Sequence, residues 1–286
     1  EMKELGANVV RVHLQIGKFM LTPETPNSDA LVQLRRLVSL AEESRLYLDI
    51  TGLGCYHKSD VPEWYDALSE GDRWGVQARF WEAVADTCAS SAAIFCYDLM
   101  NEPVVAGSAR ADGDWLGPPF AGKHFVQFIT LDPAGRPRPQ IARAWIRRLA
   151  AAIRKHDRDH LITVGLVPWS LDRPGLSSGF VPGEIAPELD FISVHLYPQS
   201  GALSADLGTL REFSVGKPVL VEEIFPLHCS AAELAQFIEA SRPFSSGWIG
   251  FYWGKTPAEL SRSTTIPDHL MLAWLNLFQR LKPTVQ

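Results

Sequence analysis

At 286 residues the chain is close to the roughly 250 typical of one (β/α)₈ barrel, so its length fits one large domain as well as two. Apolar residues at 46% and charged residues at 21% exclude wholesale disorder, and a net charge of -6 with no basic block excludes a nucleic-acid surface. No apolar run reaches the roughly 18 residues of a membrane span, and the opening EMKELGANVV lacks the order of regions of a signal peptide.

Residues 1–6 read as the last turn of a helix closed by Gly6, and NVVRVHL over residues 8–14 alternates as a strand. Residues 28–45 carry an N-capping Ser28 and apolar Leu31, Leu34, Leu37, Val38 and Ala41 at helical spacing, then run into the strand-like LYLDIT of 46–51. After a long loop, the helical run 76–89 leads into IFCYDLM, a continuous apolar stretch suited to a strand buried on both faces. Pro103 cannot donate to a ladder, so that strand must end at Asn101-Glu102.

Residues 103–138 are dense in Gly and Pro and too long for a plain connection, which points to a segment walling an active site. A helix over 141–156, the strand LITVGL of 161–166, a loop opened by Trp169 and the strand DFISVHL of 190–196 follow. The remaining elements are a helix near 205–213, the strand KPVLVEEIF of 217–225, a helix over 231–240, the strand GWIGFYW of 247–253 and a last helix over 268–281. About seven strands alternate with helices, with no phosphate-binding glycine loop and no internal repeat, which favours a (β/α)₈ TIM barrel. Eight-fold closure asks for one more strand, expected to lie before Glu1 and outside this chain. Residues 1–286 then form a single catalytic domain.

The four cysteines, Cys55, Cys88, Cys96 and Cys229, show no CxxC and no histidine at metal-ligand spacing, and Cys96 sits in a strand as a small core hydrophobe. No metal site is expected. Nine tryptophans are many for this length, and loop tryptophans can stack on sugar rings as readily as they pin a loop down.

Two acids ending two buried strands, Glu102 and one of Glu222 and Glu223, are the equipment of glycoside hydrolysis: a proton donor and a nucleophile or base. Alternation along 217–225 puts Val219, Val221 and Glu223 on one face and Leu220 and Glu222 on the other, so only one acid should reach the barrel mouth. His195 and Tyr197 share a strand face, and Arg11 could pair with Asp98. In a parallel barrel, chemistry gathers at strand C-termini, where these residues fall.

With Arg11, Asn101-Glu102-Pro103, His195-Leu196-Tyr197, Glu223 and Trp253 in view, the chain resembles glycoside hydrolase family five, the cellulase and mannanase family, over nearly its whole length. The resemblance implies Glu102 as acid/base, Glu223 as nucleophile, and Asn101 as the group holding the sugar 2-hydroxyl. It also implies Arg11 and Tyr197 bonded to Glu223, His195 lining the site, Trp253 as the stacking floor, and no metal or organic cofactor. A guanidinium beside Glu223 favours its charged form, as a nucleophile requires. The family's Pro-Val-Leu-Val-x-Glu pattern selects Glu223, leaving Glu222 as a supporting or helix-facing carboxylate. Trp64, Trp115 and Trp169 are further candidates for sugar contact.

The expected activity is retaining hydrolysis of a β-linked polysaccharide of the β-1,4-mannan or β-1,4-glucan type, with the two carboxyls about 5 to 5.5 Å apart. The competing readings are a carbohydrate-binding barrel without catalysis and a metal-dependent barrel hydrolase. Many endoglucanases of the family end the third strand in Asp-x-His, whereas Thr51 stands in that position here, so the minus-side subsite should differ. The chain is expected to act on carbohydrate as a monomer, without nucleic acid or membrane partners, and outside the cell because polymers must be cut there.

Overall fold

The computed structural model describes residues 1–251 and 254–281. Trp253, the expected stacking floor, lies outside the described residues. Seven parallel strands form one curled sheet: β1 (Val9–Gln15), β2 (Tyr47–Gly54), β3 (Ile94–Asn101), β6 (Leu161–Leu166), β7 (Ile192–His195), β8 (Val219–Ile224) and β9 (Gly247–Gly250), in that spatial order. The short pair β4 (Pro103–Val105) and β5 (Gln127–Thr130) forms a separate parallel ribbon above them. Both lie within the Gly- and Pro-rich segment and, at three and four residues, are too short to announce themselves by alternation.

The helices that cover the sheet are α1 (Ser28–Ser44), α2 (Glu70–Cys88), α3 (Arg138–Arg154), α4 (Leu203–Glu212), α5 (Ala231–Ser241) and α6 (Ile266–Leu281). Two helix starts differ from the sequence reading. Asn27, not Ser28, caps α1 by accepting from the Asp29 amide, and α2 begins at Glu70 behind a Ser69 cap, a polar, glycine-containing turn that hides the helix period. The opening residues 1–6 close as the last turn of a helix does: the Leu5 amide donates to the Glu1 carbonyl at 3.0 Å, and the Gly6 and Ala7 amides donate to the Lys3 and Met2 carbonyls at 3.0 and 3.1 Å around Gly6 at φ 87°.

Register explains what faces where. Outward residues such as Ile50, Tyr97, Val164, Val194 and Val221 are buried against the helices, where Trp81 and Trp145 fill the largest spaces. Trp145 donates to Gln77 and Gln77 to the Tyr65 hydroxyl, whereas the buried Trp81 indole nitrogen has no hydrogen-bond partner. The inward side is polar: Arg11 lies beside Asp49, Asp49 beside Cys96, and Thr51 beside Asp98. Cys96, Phe191 and Leu220 make a small apolar plug within it.

The alternation expected of 217–225 fails at one point. Ser193 pairs with Leu220 and Val194 with Val221, but His195 pairs with Glu223, so the register skips Glu222. A bulge of this kind turns two successive side chains toward one side. Glu222 is therefore fully buried inside the barrel and Glu223 alone of the two reaches the mouth, which excludes the helix-facing placement of Glu222 and leaves the supporting one.

Candidate active site

At the C-terminal ends of β1, β3, β7 and β8 a set of polar side chains converges. Arg11 on β1 donates from Nη1 to Glu223 Oε2 at 3.0 Å, and from Nη2 to Asp98 Oδ2 at 2.7 Å and Asn101 Oδ1 at 3.1 Å. Burial works against its charge, but Glu222, Asp98 and Glu223 outweigh that, and the guanidinium is held well above its usual pKa. Tyr197 donates its hydroxyl to the other oxygen of Glu223, and burial together with that charge raises the phenol. Glu223 is thus gripped at both oxygens.

Glu102 stands opposite. Its backbone takes φ 47°, a left-handed conformation rare for a residue with a side chain, just after a register shift in β3 between Asp98 and Asn101. The Glu102 amide donates to the Gly165 carbonyl of β6 at 3.1 Å, which holds the turned backbone in place. The side chain accepts from His195 Nδ1 at 3.0 Å, and the same nitrogen lies 3.5 Å from Glu223 Oε2. Burial alone would discharge His195, yet the Glu223 charge, the hydrogen bond with Glu102 and the nearby Glu222 carboxylate lift it to about 10.

Asn101 is almost wholly buried and gives one amide hydrogen to the Phe125 carbonyl at 3.0 Å, which ties the β3 end to the loop before β5. A cavity of about 670 Å³ opens here, with Arg11, Asn101 and Glu223 at its polar end and Tyr56, Lys123 and Phe125 along its wall. From there it runs between the edge strands β1 and β9 past Val10 and Trp248. The segment 103–138 does wall the cleft, through Lys123 and Phe125.

The three loop tryptophans are not brought to this cavity. Trp115 is buried, donating to the Asp66 carbonyl at 3.0 Å beneath the Arg73 guanidinium. Trp64 packs edge-on against Tyr65, and Trp169 sits in the turn Pro168–Leu171. Tyr56, Phe125 and Gly165 escaped the sequence reading. A glycine inside LITVGL was a usable signal of close approach, because a Cβ there would stand 2.8 Å from His195 Nε2 and 3.3 Å from Arg11 Nη2. Loop aromatics leave no such period.

A parallel sheet curled into a barrel, with acids, an arginine and a histidine converging at its strand C-termini, defines a (β/α) barrel whose functional face lies at that end. The chain belongs to the cellulase family, glycosyl hydrolase family 5, whose sequence profile matches residues 1–223. It is 25% identical over 246 residues to mannan endo-1,4-beta-mannosidase A of Emericella nidulans, covering 77% of this chain and 55% of that protein. It is 34% identical over 77 residues to mannan endo-1,4-beta-mannosidase 7 of Arabidopsis thaliana, covering 23% of this chain and 17% of that one. The chain spans about half the length of the Emericella relative.

Among solved structures, a GH5_18 protein from Streptomyces cattleya in complex with Manb1-4GlcNAc superposes with a TM-score of 0.68 at 18% identity, over 97% of this chain and 72% of that one. The beta-1,4-mannanase of the sea hare Aplysia kurodai superposes with a TM-score of 0.62 at 13% identity, over 99% and 83%. These likenesses carry the barrel fold. No helix among the described residues is long and apolar enough to cross a membrane.

Proposed function

We propose that residues 1–286 act as a retaining β-glycosidase domain that cleaves β-1,4-linked mannan-type chains, with Glu223 as nucleophile and Glu102 as acid/base. The observation that carries this reading is the seating of the two carboxyls around one atom: Glu102 at 3.0 Å and Glu223 at 3.5 Å from His195 Nδ1. Two oxygens so placed can be no farther apart than the lower limit, about 6.5 Å, of the spacing that inverting enzymes use to admit a water between their acids. Glu223 is held at both oxygens by Arg11 and Tyr197, which orients it to attack the anomeric carbon.

In the first step Glu223 displaces the leaving group while Glu102 protonates the departing oxygen. The covalent link to Glu223 removes a negative charge from the site, and Glu102, now ionised, accepts a proton from water for the second displacement. Asn101, oriented by Arg11 and the Phe125 carbonyl, still has an amide hydrogen to offer the sugar 2-hydroxyl. Tyr56 and Phe125 supply apolar faces for a sugar ring along the cavity wall. Preference for mannan over glucan is supported by the mannan endo-1,4-beta-mannosidases among the relatives and by the Manb1-4GlcNAc bound in a structural neighbour. A polymeric substrate places the action outside the cell.

The test is a hydrolysis screen over mannan, glucomannan, cellulose, mixed-linkage glucan and xylan with products resolved by size. Mannan cut fastest, with aryl β-mannosides releasing phenol, is the expected result. No release from any aryl β-glycoside would leave a carbohydrate-binding barrel.

A further inference from the structure

Beneath the mouth lies a second set of acids that the hydrolytic roles do not use. Asp49 on β2, Cys96 on β3 and Glu222 on β8 point into the barrel, with one potential ligand atom of each within 4.8 Å of the others. All three are fully buried. Neither oxygen of Asp49 and neither of Glu222 has a hydrogen-bond donor. Two dry, unsatisfied carboxylates side by side are far too costly to persist if both are charged.

The surrounding charges do not relieve both acids. Arg11 approaches Glu222 to 3.8 Å, but its bonds go to Glu223, Asp98 and Asn101, and Asp98 also accepts from the Gly165 amide. Cys96 stays a thiol, since burial and both neighbouring acids push it up, and His13, beside Arg11 on β1, is kept neutral by burial and the Arg11 charge. An independent sign comes from His195. Its Nε2 is buried, lacks a hydrogen-bond partner and faces Glu222 Oε2 at 3.4 Å, while Nδ1 meets Glu102 at 3.0 Å.

Carboxylates only accept, so facing carboxyls are reconciled by one proton that the first donates to the second. An imidazole with a carboxylate oxygen before each nitrogen carries a hydrogen on each. We propose that Asp49 is a carboxylic acid at neutral pH that donates to Glu222, and that Glu222, kept as an anion, holds His195 as an imidazolium with its Nδ1–H fixed on Glu102. Asp49 and Glu222 are positioning residues that act through His195. Burial and the Glu222 charge drive Asp49 well above its usual range, whereas for Glu222 burial is outweighed by Arg11 and His195, which hold it at about 2. The consequence for catalysis rests on the hydrolytic reading above, since a fixed donor on one oxygen of Glu102 leaves the other to carry the transferred proton. The shared proton itself does not depend on that reading.

Two spectroscopic measurements on the intact chain test this without assaying hydrolysis. Infrared spectra of protein labelled with carboxyl-¹³C aspartate should show a protonated carboxylic acid band at neutral pH that shifts with the label and vanishes in Asp49→Asn. That variant should fold with an unchanged melting temperature, because the amide N–H replaces the acid O–H. Nitrogen-15 NMR should show both His195 ring nitrogens protonated at mildly alkaline pH in the parent, and titration of the ring about one unit or more lower in Glu222→Gln.

Absence of the acid band in the parent would overturn the shared proton, and an unmoved His195 titration in Glu222→Gln would overturn the positioning role. A stoichiometric metal ion whose chelation lowers the melting temperature would overturn the proposal by giving the orphaned oxygens a cation instead. A chain showing both signatures but hydrolysing no glycoside would support the proton arrangement while sinking the hydrolytic reading.

Discussion

Arg11 donates to Glu223 at 3.0 Å across the barrel, joining the edge strand β1 to β8 over 212 positions of sequence. With Asp98 held at 2.7 Å by the same guanidinium, it is both a fastening of the sheet and the counter-charge of two acids. Removing one partner of a buried pair costs about 3 to 5 kcal/mol, because the other is left charged and unmatched. Arg11→Met should lower the unfolding free energy by that amount in urea titrations and cut turnover by at least about 10²-fold. Arg11→Lys should fall between, since an ammonium lacks the fork that engages both acids. An unchanged urea midpoint in Arg11→Met would show that the pair does not hold the sheet.

The left-handed backbone at Glu102 reverses an ordinary preference. Alanine normally stabilises a position relative to glycine, but at φ 47° a Cβ costs about 1 to 2 kcal/mol and glycine pays nothing. Glu102→Gly is therefore expected to unfold at higher urea than Glu102→Ala by about 1 kcal/mol, with both inactive on unactivated substrates. Equal midpoints, or alanine the more stable, would mean that Glu102 carries no backbone strain.

The order of strands and helices was legible because parallel strands buried on both faces read as unbroken apolar runs, as in LITVGL and IFCYDLM. The acids at Glu102 and Glu223 were legible too, since Pro103 and the strand ends locate them. What stayed hidden were departures from regular period. The bulge at Glu222 has no signature in PVLVEEIF, and strict alternation, which puts Glu222 inside with Leu220, would send Glu223 outward. Of the polar barrel interior only the Arg11–Asp98 pair was readable, because Asp49 on β2 and Glu222 on β8 meet across the barrel from strands that do not pair. Polar first turns, as in α2, conceal a helix until its cap is seen.

Gly165 marks another such departure. Its missing side chain makes room for His195 Nε2 at 2.8 Å and Arg11 at 3.3 Å from where a Cβ would stand. Gly165→Ala should leave the circular dichroism spectrum intact, cost about 1 to 3 kcal/mol by overpacking, and lower kcat by about 10 to 100-fold as His195 is displaced from Glu102. Full activity with alanine would imply that the imidazole can retreat without moving the acid.

The division of labour between the two glutamates is tested most directly by the anomeric form of the azide that each variant makes. Glu223→Ala should lose at least about 10⁴-fold in turnover for every leaving group, and azide should restore it by attacking in place of the nucleophile. One displacement of a β-glycoside gives an α-glycosyl azide. Glu102→Ala should still form the covalent intermediate from a dinitrophenyl glycoside, whose leaving group departs without protonation, and should show a burst before deglycosylation stalls. Azide then attacks that intermediate on the face opposite Glu223 and gives a β-glycosyl azide. An α-azide from Glu102→Ala together with a β-azide from Glu223→Ala would contradict the account and require the two roles to be exchanged.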